Sequence, residues 1–189
     1  YGLGELGIAE GLVFNNFEQQ TFDKKRFARY FYGIDWGFSD DPFAFVECAV
    51  ENNILYICNE VYKKGLLNRQ AVELVAPICG NSFVNCDSAE PKSVAEFQSY
   101  GINAHSAKKG KGSIESGIKQ IQSFDKVIIH SDCVNAYDEF CNYQWKTDKN
   151  GDREPEPIDA FNHLIDALRY SLEPLLQYNA TKVIGLRPF

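Results

Sequence analysis

Arg29-Tyr30-Phe31-Tyr32-Gly33-Ile34-Asp35-Trp36-Gly37-Phe38-Ser39-Asp40-Asp41 is the stretch whose reading decides the fold: an aromatic, β-prone run that ends in an acid and a glycine. The run predicts a strand. An acid just past buried strand residues stands on rigid backbone, and Gly37 lets the chain turn away or lets a ligand approach the main chain closely. Metal and phosphate sites are commonly built this way. An Asp-rich loop capping a core strand accounts for the same residues, and this stretch alone favours that plainer reading. Two later stretches shift the balance.

Upstream of it, residues 1–28 begin Gly2-Leu3-Gly4-Glu5-Leu6-Gly7, a formal match to the dinucleotide fingerprint that lacks the preceding strand the motif requires. The segment reads as a flexible lead-in from an upstream part, with a short edge strand near 14–17. Downstream, the runs 42–50 and 54–62 flank Glu51-Asn52-Asn53, a turn signal, and predict a hairpin, so that three consecutive antiparallel strands result. The period then changes. Residues 67–79 form an amphipathic helix stopped by Gly80, 82–86 a short buried strand, and 91–100 a helix with Pro91 near its first turn and Gly101 as its stop. A weak strand at 102–107, a helix at 113–124, a strand at 126–130 and a helix at 134–143 follow. Asp148-Lys149-Asn150-Gly151 signals a second hairpin. The last helix spans 159–172, and beyond Pro174 the chain reads as a loose tail. This order predicts an α/β fold with a mixed central sheet, three antiparallel strands and then parallel ones, flanked by helices.

Composition bounds the function. The 189 residues, 44% of them hydrophobic and 14% aromatic, suffice for one domain with a sizeable core. No apolar run approaches membrane-spanning length and the N-terminal residues show no charged-then-apolar signal pattern, which predicts a soluble, intracellular protein. Cys48, Cys58, Cys79, Cys86, Cys133 and Cys141 form no C-x-x-C pair and lack nearby histidines at zinc spacing, so they read as reduced thiols, mostly in the core. The sequence contains no Met, which predicts a domain cut from something larger. The net charge of −7, from 19 Lys and Arg against 26 Asp and Glu, argues against a passive nucleic-acid coat. It leaves room for a metal-dependent enzyme on DNA, since divalent ions invert the charge of an acidic site.

Three acids stand at informative places. Asp35 ends the first predicted core strand, Asp87 ends the strand at 82–86, and Asp166 lies on the last helix. If those strands are parallel neighbours, Asp35 and Asp87 are adjacent, and paired buried acids are costly unless a cation joins them. On the last helix Phe161, Leu164, Ile165, Leu168 and Leu172 form an apolar stripe, whereas Asp159, His163, Asp166 and Tyr170 share the opposite arc. Periodicity by itself reads that arc as facing solvent. Ala160 and Ala167 on its flank are small enough to let the helix lie close to the sheet.

Gly33-Ile34-Asp35-Trp36-Gly37, Cys86-Asp87-Ser88-Ala89-Glu90-Pro91-Lys92 and Asn162-His163-Leu164-Ile165-Asp166-Ala167-Leu168-Arg169-Tyr170 resemble the three nuclease motifs of the large terminase subunit of tailed bacteriophages. Lys109-Gly110-Lys111-Gly112-Ser113-Ile114 and the hairpin over 143–151 resemble that family's intervening segments. The resemblance implies a ribonuclease-H-like nuclease domain over 29–175, a lead-in over 1–28 from a missing ATPase domain, and a C-terminal tail over 176–189. The absence of a Gly-x-x-x-x-Gly-Lys-Ser/Thr loop here fits that division. It further implies an endonuclease that cuts concatemeric double-stranded DNA in the host cytoplasm, with the small terminase subunit and the portal as partners.

Hydrolysing a phosphodiester needs an activated water, a stabilised leaving oxygen and shielding of phosphate charge, which two Mg2+ or Mn2+ ions roughly 4 Å apart supply. Hard cations take carboxylate oxygens. Asp35 is the candidate shared ligand, with Asp87 and Asp166 holding one side each. His163 is open to two readings, one in which it orients water or phosphate and one in which it is structural. Glu90, Asp40 and Asp41 are reserve ligands that caps and turns also explain. Lys108, Lys109 and Lys111, set among glycines, are candidate contacts to phosphates. Three rivals stay open on the residues alone: another ribonuclease-H-like nuclease of the resolvase or transposase type, an actin-like or sugar-kinase-like ATPase, and a DNA-clamping or motor-docking module without catalysis.

Overall fold

A computed structural model of the chain describes residues 11–108 and 110–184, with side chains as far as 176. Among the described residues nine strands and five helices follow one another as β1 (Phe17–Gln20), β2 (Phe31–Asp35), β3 (Phe43–Glu51), β4 (Ile54–Lys63), α1 (Asn68–Cys79), β5 (Val84–Cys86), α2 (Pro91–Ser99), β6 (Ala104–Ser106), α3 (Ser113–Gln122), β7 (Lys126–His130), α4 (Val134–Asn142), β8 (Trp145–Thr147), β9 (Arg153–Pro157) and α5 (His163–Ile184). Seven strands make one sheet in the order β1-β7-β4-β3-β2-β5-β6, while β8 and β9 form a separate hairpin. Strands β2, β3 and β4 run antiparallel, and β5, β6, β7 and β1 join them through parallel pairings. The expected mixed sheet is thus present, including the parallel pairing of β2 with β5 on which the adjacency of Asp35 and Asp87 depends.

The sheet is buried on both faces. On one side α3, α4 and α5 cover Val46, Cys48, Leu55, Ile57, Val127 and Ile129. On the other α1 and α2 cover Tyr32, Ile34, Phe43, Phe45 and Val84. Alternation along β3 sorts residues between the faces, Phe43 and Phe45 to one and Ala44 and Val46 to the other, as the two-residue strand period requires. Five of the six cysteines are buried and all six are free thiols.

Two segment boundaries differ from the expectation. Residues 11–28 are not a lead-in: β1 pairs in parallel with β7, and Val13 and Phe14, 3% and 0% exposed, belong to the core. The β1 residues FEQQ alternate too little to announce a strand, and it is the neighbouring hydrophobics that anchor it. The Gly2–Gly7 stretch lies outside the described residues. Residues beyond Pro174 are not a loose tail over their whole length, because α5 continues to Ile184. Proline removes the N–H that would bond the carbonyl four residues back. In α5 that carbonyl belongs to Tyr170, and Asn85 Nδ2 on β5 donates to it at 2.8 Å, so the helix passes the proline without an orphaned buried acceptor.

Helix α5 also begins later than its apolar spacing suggests. Phe161 sits in the left-handed region at φ 56°, which breaks any helix running in from 159, and it is exposed rather than part of the buried stripe. The helix starts at His163, where Glu139 Oε2 accepts the backbone N–H of Ile165 at 3.0 Å and satisfies one of the first-turn donors. Its seat on the sheet is set by Gly33: a Cβ there would stand 1.9 Å from the carbonyl oxygen of Ala167 and 2.8 Å from the amide nitrogen of Ser171. The backbone of α5 therefore rests directly on the backbone of β2.

Candidate active site

Asp35 is the last residue of β2 and Asp87 the first after β5. Their backbones are joined where the Asp87 N–H donates to the Ile34 carbonyl at 2.9 Å. Trp36 ties the two loops together, its Nε1–H donating to the Asp87 carbonyl at 2.9 Å while its ring packs against Phe43 and Phe97. Gly37 is needed for a close approach of the chain to itself, since a Cβ there would fall 2.2 Å from the Pro42 carbonyl oxygen. Helix α5 brings His163 and Asp166 over the same strand ends. The arc that periodicity reads as solvent-facing is largely covered: Tyr170 is 7% exposed, and the Asp166 side chain 18%. It faces the sheet's acidic edge, with Ala167 fully buried beneath it, as its small size allows.

Electrostatics records the convergence. Asp35, its side chain 13% exposed, has its pKa pushed up to about 6, first by burial and then by the charges of Asp166 and Asp87, against a hydrogen bond from His163 that pulls it down. His163 Nδ1 lies 3.2 Å from Asp35 Oδ2, and Nε2 lies 3.7 Å from Asp41 Oδ1. The hydrogen bond to Asp35 raises the His163 pKa, with the Asp35, Glu139 and Asp41 charges acting in the same direction. Asp87 Oδ1 accepts the N–H of Ala89 at 3.0 Å, closing a tight turn. Asp166 Oδ1 accepts from both Nε and Nη2 of Arg169, at 2.9 and 2.7 Å.

The side chains expected to act together are brought together, with differences among the reserves. Asp41 approaches His163, whereas Glu90 precedes α2 without capping it through its side chain and lines a groove with Trp36 and Phe38. Lys108 and Lys111 are exposed on the loop before α3, and Lys109 lies outside the described residues. That loop is held by Glu173, whose Oε2 accepts the Lys108 N–H at 3.0 Å. A groove of about 570 Å³ runs from Gly112 and Ile118 past Tyr143 and Trp145 of the hairpin to Asn162 and Asp166.

Two residues with a role here are not legible as such from motifs. Glu139, 2% exposed, caps α5 and has its pKa pushed up to about 7, mainly by burial. Its signal is an acid at an inward position of α4, in register with buried Ala136 and Phe140. Arg169, 7% exposed, pairs with Asp166 three residues earlier on the same helix face.

A hard divalent cation suits these donors chemically, since all three are carboxylates. Among the described residues, however, no three Asp, Glu, His or Cys side chains are closed on a common metal position. Asp35 is turned to His163 and Asp166 to Arg169. The donors fit the metal, and their present rotamers do not enclose it.

The sheet order, the acids at the β2 and β5 ends and the closing helix define a ribonuclease-H-like fold. The terminase RNAseH-like domain family matches residues 35–174, and the chain belongs to that family. It is 35% identical over 174 residues to the terminase large subunit of Bacillus phage SPP1, covering 89% of this chain and 40% of that protein. It is 32% identical over 144 residues to the PBSX phage terminase large subunit of Bacillus subtilis, covering 75% of this chain and 33% of that one. The chain thus spans less than half the length of these relatives. In three dimensions it matches the large terminase nuclease domain of bacteriophage SPP1 crystallised with bound manganese, at TM-score 0.81 and 31% identity, over 86% of this chain and 98% of that domain. Among the described residues no helix is long and apolar enough to cross a membrane.

Proposed function

We propose that this domain is the endonuclease of a phage DNA-packaging terminase, cutting concatemeric double-stranded DNA by phosphodiester hydrolysis with two Mg2+ or Mn2+ ions. The observation that carries the reading is the convergence of Asp35, Asp87 and Asp166 from two adjacent strand ends and one helix, close enough for the latter two to raise the Asp35 pKa. Family membership and the manganese-bound relative support the same chemistry. An upstream ATPase domain in the same polypeptide, the small terminase subunit and the portal are the proposed partners, and the infected host's cytoplasm is the proposed location.

Asp35 would be the ligand shared by both ions, Asp87 and Asp166 holding one side each. Bound ions supply an activated water, shielding of phosphate charge and stabilisation of the leaving oxygen. The chain's own residues position everything else. Strand β2 and the Gly33 contact fix Asp35 relative to α5. His163, whose Nδ1 lies 3.2 Å from Asp35 Oδ2, orients the Asp35 carboxylate. Lys108, Lys109 and Lys111 would contact the phosphate backbone.

The test is Asp35→Asn, read by plasmid cleavage and by melting in EDTA and in Mn2+. Burial and neighbouring charge raise the folded pKa of Asp35 from 3.8 to about 6, so its ionised form burdens the metal-free fold increasingly as pH rises through that interval. At pH 7.5 the Asn variant should lose cleavage, melt higher than the parent in EDTA and gain much less from Mn2+. A variant that melts clearly lower in EDTA, or that shows the parent's full Mn2+ shift, removes Asp35 from the role of shared ligand.

A further inference from the structure

We propose that Arg169 is a positioning residue that latches Asp166 away from the metal position in the metal-free domain, with helix α3 holding the latch; this rests on the carboxylate metal site proposed above. Arg169 is nearly inaccessible, 7% exposed, and two of its N–H groups fall on the same oxygen of Asp166, at 2.9 and 2.7 Å. A buried guanidinium is held there only if its remaining donors and its stem are also matched. Helix α3 takes one of those donors and the stem. Nη1 donates to the Ser113 carbonyl at 3.3 Å, and the methylene stem lies in a slot opened by Gly117, where a Cβ would fall 2.7 Å from Arg169 Cδ and 3.0 Å from Cγ. The fixed cation therefore belongs structurally to α3, the helix that follows the lysine loop, although it is carried on α5.

Two consequences follow for a divalent ion. The Arg169 charge makes the crowding of Asp166 with Asp35 and Asp87 tolerable when no other cation is there. It also competes for the oxygen an ion would take, consistent with three acids that are near one another and yet not closed on a common point. A latch lowers cation affinity, whereas a strut that presets Asp166 for metal would raise it, so the sign of one measurement decides. A unit charge within a few ångströms is worth one to three pKa units to a neighbouring carboxylate, and removing it should strengthen Mn2+ binding by about ten-fold.

The experiment measures Mn2+ affinity without DNA, by calorimetry on EDTA-stripped protein, for the parent, Arg169→Gln, Gly117→Ala and Asp35→Asn, with folding checked by circular dichroism. Arg169→Gln should bind Mn2+ about ten-fold more tightly and melt lower in EDTA. Gly117→Ala, which pushes on the arginine stem and leaves every charge in place, should shift affinity in the same direction by less. It carries the comparison by itself if the Gln variant does not fold. Unchanged or weaker Mn2+ binding in the folded variants overturns the latch while leaving the metal site standing. A parent whose Mn2+ binding does not depend on Asp35 overturns the metal site and the latch together.

Discussion

Helices α1 and α5 lie on opposite faces of the same sheet, and each contains an internal proline, yet they are held by different means. Helix α1 buries Ala71, Val72, Val75 and Cys79 in the core, with Ala76 and Ile78 partly buried against it, and its seat is made of side chains. Helix α5 buries Leu164, Ile165, Leu168 and Leu172, and also Arg169, Tyr170 and Ser171, and it sits backbone to backbone on Gly33. The start of α1 is finished by the exposed Gln70, whose Oε1 accepts the Leu67 N–H at 3.0 Å, that of α5 by buried Glu139. Pro77 of α1 leaves its unpaired carbonyl on exposed Glu73, whereas Pro174 leaves one on buried Tyr170 that Asn85 answers. A helix that only covers a core needs an apolar stripe. A helix that also delivers charged groups to a site must have each of its polar contacts answered by a residue elsewhere in the chain.

The seat is where this difference should be largest. Gly33→Val places a side chain inside the α5 backbone and cannot be absorbed by rotamer changes, since the atom it meets is a carbonyl oxygen. We expect a loss of more than about 4 kcal/mol, enough to prevent folding. Val75→Ala in α1, which removes two buried methyl groups, should cost about 2 kcal/mol and leave a folded protein. Denaturant unfolding of the two variants checks the contrast. Comparable losses would mean that α5 rides on side chains as α1 does.

This contrast also explains what could be read in the sequence. The hairpin of β3 and β4, helix α1 with its Gly80 stop, and the strands carrying Asp35 and Asp87 obey local rules, because alternation, turn residues and helical period report directly on burial. The three candidate acids stand in short local motifs, and the structure brings them to two adjacent strand ends and one helix. The environment of α5 was not legible, since the partners that bury its polar arc, Glu139, Asn85 and Gly33, lie 26 residues or more away in sequence and follow no period shared with it. For the same reason Pro174 reads as an end when it is an interior residue, and β1 reads only as a short edge strand near 14–17 within a lead-in, although its place at 17–20 is set by pairing with a strand 110 residues later.

The capping of α5 can be tested by pH. Glu139 is fully ionised in the unfolded chain above its usual value of 4.5, but burial holds its folded pKa near 7. The native state therefore binds more protons between those values, and stability contributed at this residue falls as pH rises from about 4.5 through 7. Glu139→Gln retains an oxygen for the Ile165 N–H and removes the titration. The variant should gain on the parent by up to about 3 kcal/mol from pH 5 to pH 8. The slope from Asp35 is common to both proteins, whereas the Glu139 charge helps raise the His163 pKa, so the variant also loses part of the His163 slope and the difference grows in the same direction. Melting curves that stay parallel across this range would mean that Glu139 is ionised without penalty at the α5 start, as Gln70 is neutral without penalty at the start of α1.

The proline comparison gives the smallest effect and the most specific one. Asn85 Nδ2 donates to the Tyr170 carbonyl at 2.8 Å and to Glu173 Oε2 at 2.8 Å, and Asn85 is itself 4% exposed. Asn85→Ala leaves that carbonyl buried without its donor, which should cost about 1–2 kcal/mol. If the loss stems from the missing proline N–H, then supplying that N–H must recover part of it. Pro174→Ala restores a helical donor to Tyr170, so Asn85→Ala should be milder in the Pro174→Ala background than in the parent, with a coupling of about 1 kcal/mol. Pro77→Ala supplies the equivalent donor to Glu73 in α1, where the carbonyl is on an exposed residue and Asn85 is not involved, and its effect should simply add to that of Asn85→Ala. Chemical denaturation of the parent, the two single variants and the double variant of each cycle gives both coupling energies. Additivity at both prolines would show that Asn85 stabilises α5 through Glu173 alone, and that the helix passes Pro174 without needing the strand beneath it.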